Sequence, residues 1–570
     1  MVYVALSFLL DPRGTMGADE GAKVATLKVM AENGTFRPDV GYWASQWDPE
    51  GVYHGLTYTT RFGEMYVNVS TLPMILVGKP LWDFGGYRGA LLLPMLGGVL
   101  TALAARSLAM RLVDHREREA AGLYAFWLVG LASPATVYAL DLWEHTLGLA
   151  AMAWAVVHLV DASAIRCSPG AERPGAERPG TERTGTDRPL SRSTLAPALA
   201  AGALFGAAVS MRTEALVYLV VTVGLAAFTV VLRREVVRAV ALGMAALVGF
   251  GVLVGANTLL ELAVLGSASR AGRATVAVSA GGQDVSFRVK EGLTTLLSPM
   301  PSLDPTYVAY GVLFALGVGL WAMAAAGRAP KPCAALGGIV VVVVVLLRVQ
   351  SGLGFWPGMV ATTPMVAVGL ALGWTSPAKR LVTAMGLAAL PLVVAFQFPG
   401  GAIPQWGGRY MLLSGFLVGV VGIASLTPLP RESRLGLMGL SLLVTALGFG
   451  WLVVRTHGVG EAGEVLAARP EAVLISPEGF PPREFGATWG SKRWLSTLGR
   501  DDLPGAVSNG RNDLRAAVDI VRQSGAPTFA IVTGSVDHPF PDFPGFREVS
   551  RSSVPFVPGA EFVVVSYARA

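Results

Sequence analysis

Polar and ionisable side chains are concentrated where long apolar blocks of the sequence end. Asp19 and Glu20 follow the first apolar stretch by a few residues. Others stand at the ends of later blocks: Glu144, His145, Arg212, Glu214, Gln405 and Arg409. Each of these alone is more often a capping or snorkelling residue. Ionisable groups at a membrane boundary are costly unless they are paired or functional, so their convergence on one face of a helix bundle indicates a site.

These residue types suit the transfer of a group from a lipid phosphate. A carboxylate held near an arginine stays ionised and can accept the proton of a hydroxyl nucleophile. Arginines at the membrane boundary can hold a phosphate through bidentate hydrogen bonds. The sequence contains no phosphate-cradling glycine loop of the Walker or dinucleotide-binding type, and nucleotide-sugar donors are cytosolic. A lipid-linked donor therefore fits the pattern better.

The composition places these residues in a polytopic α-helical membrane protein. The chain has 570 residues, of which 52% are hydrophobic and 15% are charged, whereas soluble domains carry about 25% charged residues. The apolar residues form blocks of about 17 to 25, enough to cross a ~30 Å hydrocarbon core. This excludes a soluble enzyme, a disordered chain and a disulfide scaffold. The two cysteines give no zinc-binding spacing.

The apolar blocks predict about twelve spans, and about thirteen if residues 1–10 are the truncated end of a first span that begins upstream. An interfacial stub is the alternative for residues 1–10. The spans are predicted at 88–111, 120–139, 143–162, 195–211, 214–232, 236–259, 307–327, 333–349, 355–374, 380–397, 410–427 and 434–454. An interfacial helix is predicted at 67–82.

The orientation follows from the Lys and Arg clusters of the short loops, which fall on one face if the spans alternate. The positive-inside rule makes that face cytoplasmic. We therefore expect a multi-pass plasma-membrane protein with a cytoplasmic N-terminus and an extracytoplasmic C-terminal domain. The net charge of +6 is explained by these loops, so no nucleic-acid partner is predicted.

The chain divides into a transmembrane domain at 1–455 and an extracytoplasmic domain at 456–570. The first contains a long outer loop at 11–85 with the candidate acids. It also contains a linker at 166–194 whose Pro, Gly and paired charges cannot bury a core, which predicts cytoplasmic disorder.

The tail has the composition of a small α/β domain. Its strands are predicted at Val473–Ser476, Phe529–Thr533 and Phe562–Ser566, with a helix at Asp513–Arg522. No nucleophile–base pattern stands in the tail, so we expect it to shape acceptor use and not to perform the chemistry.

Several short motifs occur in one order along most of the chain: Asp19-Glu20, Phe84-Gly85, Trp143-Glu144-His145, Arg212-Thr213-Glu214, Pro357-Gly358 with Pro364, and Gln405-Trp406-Gly407-Gly408-Arg409-Tyr410. This order resembles the GT-C glycosyltransferases, which include the protein O-mannosyltransferases and the lipid A aminoarabinose transferases. The sequence departs from the second group at Asn68–Pro73, where a Lys-Pro-Pro run is missing, so a phosphate-binding lysine cannot be carried over.

The resemblance implies inverting transfer of a sugar from a polyprenyl-phosphate carrier to a lipid, glycan or protein acceptor on the outer face. It makes Asp19 the general base, with Glu20 in support. The candidates for the carrier phosphate are Arg61, Arg212 and Arg409. Glu144 and His145 are candidates for orienting the acceptor or the base, and Glu214 and Gln405 complete the predicted substrate-binding set.

No cofactor is predicted, and no metal-ligand set stands out, although some members of the resembled family use a divalent metal. The competing class is a transporter or lipid flippase. Such proteins often have internal repeats, broken helices and ionisable residues at the membrane midplane. The sequence shows neither matching halves nor charges at the span centres, which favours the transferase.

Overall fold

The computed structural model describes residues 1–68, 71–163, 192–268, 288–289, 292, 295–296, 305–325, 327, 329–350, 358–396, 406–427, 429–497, 514–534 and 540–570. Gln405 and residues 166–191 of the predicted linker lie outside the described residues.

The chain begins with three helices and a hairpin: α1 (Val2–Ser7), α2 (Ala18–Glu32), β1 (Thr59–Phe62), β2 (Met65–Asn68) and α3 (Leu72–Ala90). A bundle of apolar helices follows: α4 (Leu92–Leu112), α5 (Arg118–Leu131), α6 (Pro134–Tyr138), α7 (His145–Ala162), α8 (Arg192–Val209), α9 (Ala215–Val231), α10 (Val236–Leu265), α11 (Pro305–Ala325), α12 (Pro330–Gln350), α13 (Met359–Thr362), α14 (Met365–Leu372), α15 (Pro377–Phe396), α16 (Leu412–Ile423) and α17 (Arg431–Ala468).

Five helices among the described residues are long and apolar enough to cross a membrane, namely α4, α7, α10, α15 and α17. Shorter apolar helical stretches lie at Leu195–Val209, Ala215–Val231, Val312–Trp321, Lys331–Val344 and Leu412–Ile423. These apolar helices agree with a membrane-embedded protein. The number of about thirteen spans stays a prediction.

Two predicted spans are each divided into two helices. The span at 120–139 breaks between α5 and α6, where the Ser133 hydroxyl accepts a hydrogen bond from the Ala135 amide at 3.2 Å. A serine cap followed by proline is a strong helix-start signal, and it overrides the apolar run. The span at 355–374 is likewise divided between α13 and α14.

Two other boundaries also differ from the prediction. The interfacial helix predicted at 67–82 continues as α3 to Ala90, with a kink at Gly85 and Gly86. Gly86 has φ = +58°, which a residue with a side chain rarely adopts. In the predicted linker, residues 192–194 are helical, because α8 already begins at Arg192.

The tail is built on a five-stranded sheet that follows α17. Its elements are β3 (Val473–Ser476), α18 (Pro481–Glu484), β4 (Arg493–Ser496), α19 (Leu514–Gln523), β5 (Thr528–Thr533), β6 (Phe546–Val557) and β7 (Ala560–Arg569). The strand order is β4-β3-β5-β7-β6, with β3 parallel to β4 and β5, and β7 antiparallel to β5 and β6. The predicted strands and helix are confirmed. Strand β6 gave no sequence signal because most of its residues are exposed.

Helix α2 connects the bundle to the tail unit at residues 469–570, which we call the outer unit after its predicted side of the membrane. It buries one set of residues in each core: Val24, Leu27 and Met30 in the bundle, and Ala22 and Ala25 in the outer core. Several outer-loop residues, such as Leu56, share the outer core. An antiparallel bridge between His54 and Leu495 also extends the sheet edge. The outer loop therefore packs with the tail.

Candidate active site

Asp19 lies in the first turn of α2 and pairs with two arginines that come from distant parts of the chain. Its Oδ2 accepts a hydrogen bond from Nη2 of Arg409 at 2.7 Å, and its Oδ1 accepts one from Nη2 of Arg483. Arg409 precedes α16, whereas Arg483 belongs to α18 of the outer unit. The Asp19 side chain is 31% exposed, but those of Arg409 and Arg483 are only 16% and 8% exposed. We call these residues the Arg409–Asp19–Arg483 triad.

The charge state of Asp19 is set by its neighbours. Burial raises the pKa of the Asp19 carboxyl, but the positive charges of Arg409, Arg483 and Lys23 outweigh this and hold the pKa well below its usual range. The N-terminal turn of a helix also favours a negative charge. Asp19 is therefore ionised at neutral pH, and it is a weak proton acceptor while both arginines remain on it.

Each arginine of the triad has one buried N–H donor that is not used within the described part of the chain. Nε of Arg409 and Nε of Arg483 have no hydrogen-bond partner in the described part of the chain. Their guanidinium carbons lie over aromatic rings. That of Arg409 is 4.7 and 5.1 Å from the ring centroids of Trp143 and Tyr410, and that of Arg483 is 4.9 Å from the ring centroid of Tyr58. A buried donor without a partner costs about 1–3 kcal/mol. These donors therefore favour an anionic ligand beside Asp19.

A buried network of ion pairs adjoins the triad. Lys23 Nζ lies 3.0 Å from Oε2 of Glu144, and Arg212 contacts Glu144 at 3.3 Å and Glu214 at 2.8 Å. The network touches the triad on two sides, because Lys23 also donates to the Asp19 carbonyl and Arg212 shares the Tyr410 ring with Arg409. Two cations balance two anions, so the network fixes geometry without adding net charge.

Glu20 has a different environment from its neighbour in the chain. Its carboxylate is fully buried and accepts hydrogen bonds from the Met16 amide, the Tyr87 hydroxyl and the Leu142 amide at 2.6, 2.6 and 3.1 Å. Neither carboxyl oxygen of Asp141 has a hydrogen-bond partner among the described residues. Burial and the adjacent Glu20 raise the pKa of Asp141, so a protonated Asp141 can donate to Glu20. This arrangement suits a supporting role.

Comparison with solved structures finds three chains of interest. ArnT from Cupriavidus metallidurans bound to undecaprenyl phosphate is 13% identical, with 99% of this chain and 96% of that chain covered and a TM-score of 0.42. The Archaeoglobus fulgidus oligosaccharyltransferase in complex with Zn and sulfate is 11% identical, with 93% and 67% covered and a TM-score of 0.45. The archaeal oligosaccharyltransferase AglB from Archaeoglobus fulgidus, in complex with an inhibitory peptide and a dolichol-phosphate, is 11% identical, with 93% of this chain and 68% of that chain covered and a TM-score of 0.44.

No protein-family model and no curated protein matches the sequence. Among these neighbours, ArnT and AglB are both GT-C proteins, the group that the sequence resembles. Because these TM-scores are low, we argue the function from the residues of the site.

Two predicted site residues, His145 and Arg61, remain to be located. His145 is buried at the start of α7, edge-on to two aromatic rings, and neither ring nitrogen has a hydrogen-bond partner within the described ranges. Arg61 lies in β1 and pairs with Glu50 and Glu64 of the same loop. The local hairpin occupies this side chain, and its contacts do not connect it to the triad. Its role in phosphate binding stays a prediction.

Three residues around the acids were not among the predicted site residues: Lys23, Tyr87 and Arg483. Lys23 has a local signal, because it stands four residues after Asp19 on one helix. Arg483 has none, since 464 positions separate it from Asp19. In the part of the chain that the structure describes, no group of three or more His, Cys, Asp or Glu side chains is placed to hold a metal ion.

Proposed function

We propose that this chain is a membrane glycosyltransferase that moves a sugar, with inversion, from a polyprenyl-phosphate carrier to a hydroxyl group of a lipid, glycan or protein acceptor. The observation that carries the proposal is the Arg409–Asp19–Arg483 triad. It combines an ionised, partly exposed carboxylate with buried guanidinium donors that have no partner among the described residues. A base and an anion-binding group side by side are what attack on a sugar phosphate requires.

In the proposed reaction, an oxygen of the acceptor forms a bond to the anomeric carbon while the bond from that carbon to the phosphate oxygen breaks. The electron pair of the broken bond leaves with the carrier phosphate, and Asp19 takes the proton of the acceptor hydroxyl. The phosphate is already a good leaving group, so one carboxylate is sufficient. Attack on the face opposite the leaving phosphate gives inversion.

The arginines match the movement of charge in this step. The phosphodiester of the donor carries one negative charge, and the departing phosphate monoester carries two. Asp19 loses its negative charge at the same time, because it becomes protonated. The guanidinium of Arg409 can therefore exchange its hydrogen bond to the Asp19 carboxylate for one to the phosphate, so it is never left unpaired. Preorganised donors of this kind are most effective in a buried site. Binding of the phosphate also weakens the hold of Arg409 on Asp19 and restores its basicity.

The position of the charged groups supports a site at one membrane surface. Arg212 and Glu214 lie between α8 and α9, and Glu144 immediately precedes α7. At the other end of α7, Arg233 and Arg238 donate to backbone carbonyls of residues 163 and 162. An 18-residue helix spans about 27 Å, close to the thickness of the hydrocarbon core. The site and the basic loops are therefore at opposite ends of a span, which distinguishes this arrangement from the midplane sites of transporters.

We infer from this polarity that the N-terminus is cytoplasmic and that the outer unit is extracytoplasmic in the plasma membrane. The test uses two single-cysteine proteins, one with Ser550→Cys on the exposed strand β6 and one with only the native Cys167. An impermeant thiol reagent should label the first in intact cells, and the second only after permeabilisation. Labelling of Cys167 in intact cells, with protection at position 550, would reverse the orientation.

The proposed activity is tested with purified full-length protein and synthetic donors. We expect sugar release from a polyprenyl-phosphate sugar and not from a nucleotide sugar, with inverted anomeric configuration in the product by NMR. Retention of configuration would contradict single displacement. Movement of intact labelled donor across proteoliposome membranes, without cleavage of the glycosidic bond, would favour the transporter instead.

A further inference from the structure

Arg483 reaches Asp19 from the outer unit, through a contact that fixes the backbones of both segments. A Cβ atom on Gly21 would overlap the backbone carbonyl oxygen of Arg483, and one on Gly486 would overlap that of Gly21. The first turn of α2 and the segment around α18 therefore touch backbone to backbone. Because Asp19 is two residues from Gly21, this contact sets the distance between the carboxylate and the Arg483 side chain.

Additional pairs hold the same interface. Glu484 contacts Arg455 of α17 at 2.7 Å and lies 3.2 Å from the Thr15 hydroxyl. Arg455 also donates to the Met16 carbonyl, and Lys28 donates to the Ala487 carbonyl at 2.8 Å. The outer unit is thus anchored to α2 and α17 around Arg483. The sequence predicted that the tail shapes acceptor use and does not perform the chemistry, and this position brings one of its side chains into contact with Asp19.

Arg483 has features that a residue serving only to attach the outer unit to the bundle would not need. Its side chain is 8% exposed, and its Nε has no hydrogen-bond partner in the described part of the molecule, although Nη2 already pairs with Asp19. The triad carries two guanidinium charges against one carboxylate, while the adjoining Lys23 network is neutral. One positive charge is therefore left to match the single charge of a phosphodiester.

We propose that Arg483 is a second ligand of the carrier phosphate, so that the outer unit completes the anion-binding site together with Arg409 from the bundle. This inference rests on the proposed function. In the empty site Arg483 holds one oxygen of Asp19. When the donor binds, its guanidinium donates to the phosphate, while the stacking on Tyr58 keeps its plane in place. The outer unit thereby takes part in donor binding as well as in acceptor use.

The experiment measures the binding of a synthetic polyprenyl phosphate without sugar to full-length protein in nanodiscs. Arg483→Ala should weaken binding by about 10- to 100-fold, as expected for the loss of a charge-assisted hydrogen bond. Arg483→Lys should restore part of the affinity, because it keeps the charge but not the planar donors. The matched control is Arg493→Ala on β4, whose guanidinium lies over Trp43 at 5.6 Å and should leave affinity unchanged.

A purely structural role for Arg483 gives a different result. It would lower the melting temperature of Arg483→Ala and leave the affinity of the folded fraction intact, which would overturn the inference. If the alanine variant does not fold, Arg483→Gln keeps a polar side chain, removes the guanidinium charge and gives the same test. If Arg409→Ala lost affinity for polyprenyl phosphate and Arg483→Ala did not, the inference about Arg483 would be refuted and the proposed function would still stand. Failure of the unchanged protein to bind polyprenyl phosphate would refute the proposed function itself.

Discussion

Replacing Asp19 by asparagine is expected to lower turnover by about 10²- to 10⁴-fold, the usual contribution of a positioned general base. Asparagine keeps the size of the side chain but cannot take the acceptor proton. The substitution also removes the negative charge that occupies Arg409 and Arg483, so the affinity for polyprenyl phosphate should be unchanged or higher. The measurement is sugar transfer by purified protein alongside a binding titration.

Glu20→Gln is the matched control, since it changes the adjacent acid. The single oxygen of glutamine can still accept hydrogen bonds from the Leu142 amide and from Tyr87, and only the acceptor of the Met16 amide is lost, so the loss of turnover should be smaller. Near-normal turnover in Asp19→Asn would remove the base assignment. A larger loss in Glu20→Gln than in Asp19→Asn would reverse the roles of the two acids.

The pH dependence gives a second measure of the same role. Base catalysis needs ionised Asp19, and the arginines lower the pKa of this carboxyl in the empty site. The profile of kcat/KM reports the free enzyme and that of kcat the donor complex. Since the phosphate draws the arginines away from Asp19, the acid limb of kcat should lie at higher pH than that of kcat/KM. Coincident acid limbs would show that the arginines do not change partner.

Replacing Arg409 by alanine should cost about 10²- to 10³-fold in turnover, as for the loss of one preorganised donor to a developing negative charge. It should also weaken the binding of polyprenyl phosphate. Arg409→Lys should not restore full activity, because a lysine lacks the planar guanidinium that stacks on Trp143 and Tyr410. Transfer kinetics and a binding titration on the same preparations provide the test.

Arg212→Ala serves as the comparison for Arg409, because both arginines are candidates for the phosphate. Arg212 is already engaged by Glu144 and Glu214, and only its Nη2 lacks a partner among the described side chains. Its removal takes the arginine counter-ion from the buried Glu214 and leaves Glu144 paired with Lys23 alone. Breaking a buried ion pair in this way costs about 3–5 kcal/mol. We therefore expect a lower melting temperature in Arg212→Ala and a nearly unchanged one in Arg409→Ala. Unchanged donor affinity in Arg409→Ala would make Arg409 structural.

The sequence alone determined those helices and strands whose own run of apolar residues requires them to be buried. Long apolar blocks predict membrane helices, because a bilayer requires backbone polar groups to be paired within each segment. Three of the buried tail strands were predictable for a related reason, and Val473–Ser476, for example, is buried at every position. The buried strand β4 was not predicted. The exposed strand β6 and the broken span at Ser133 were missed, the first for lack of an apolar pattern and the second because a cap overrides hydropathy.

The sequence also identified Asp19 as a candidate acid, but the difference between Asp19 and Glu20 comes from packing. Successive residues on a helix point about 100° apart. Which of two adjacent acids is buried therefore depends on what surrounds α2. In the folded chain the bundle encloses Glu20, and Asp19 remains 31% exposed.

The partners of Asp19 were decided by tertiary structure only. Arg409 is 390 positions away and Arg483 is 464 positions away. No local period or propensity relates residues at such separations, because the pairs form only when the bundle and the outer unit pack on opposite sides of α2. The sequence thus supplied the kinds of residue that the chemistry needs. The close contact of Gly21 with α18 and the cores on both faces of α2 decided which of them meet.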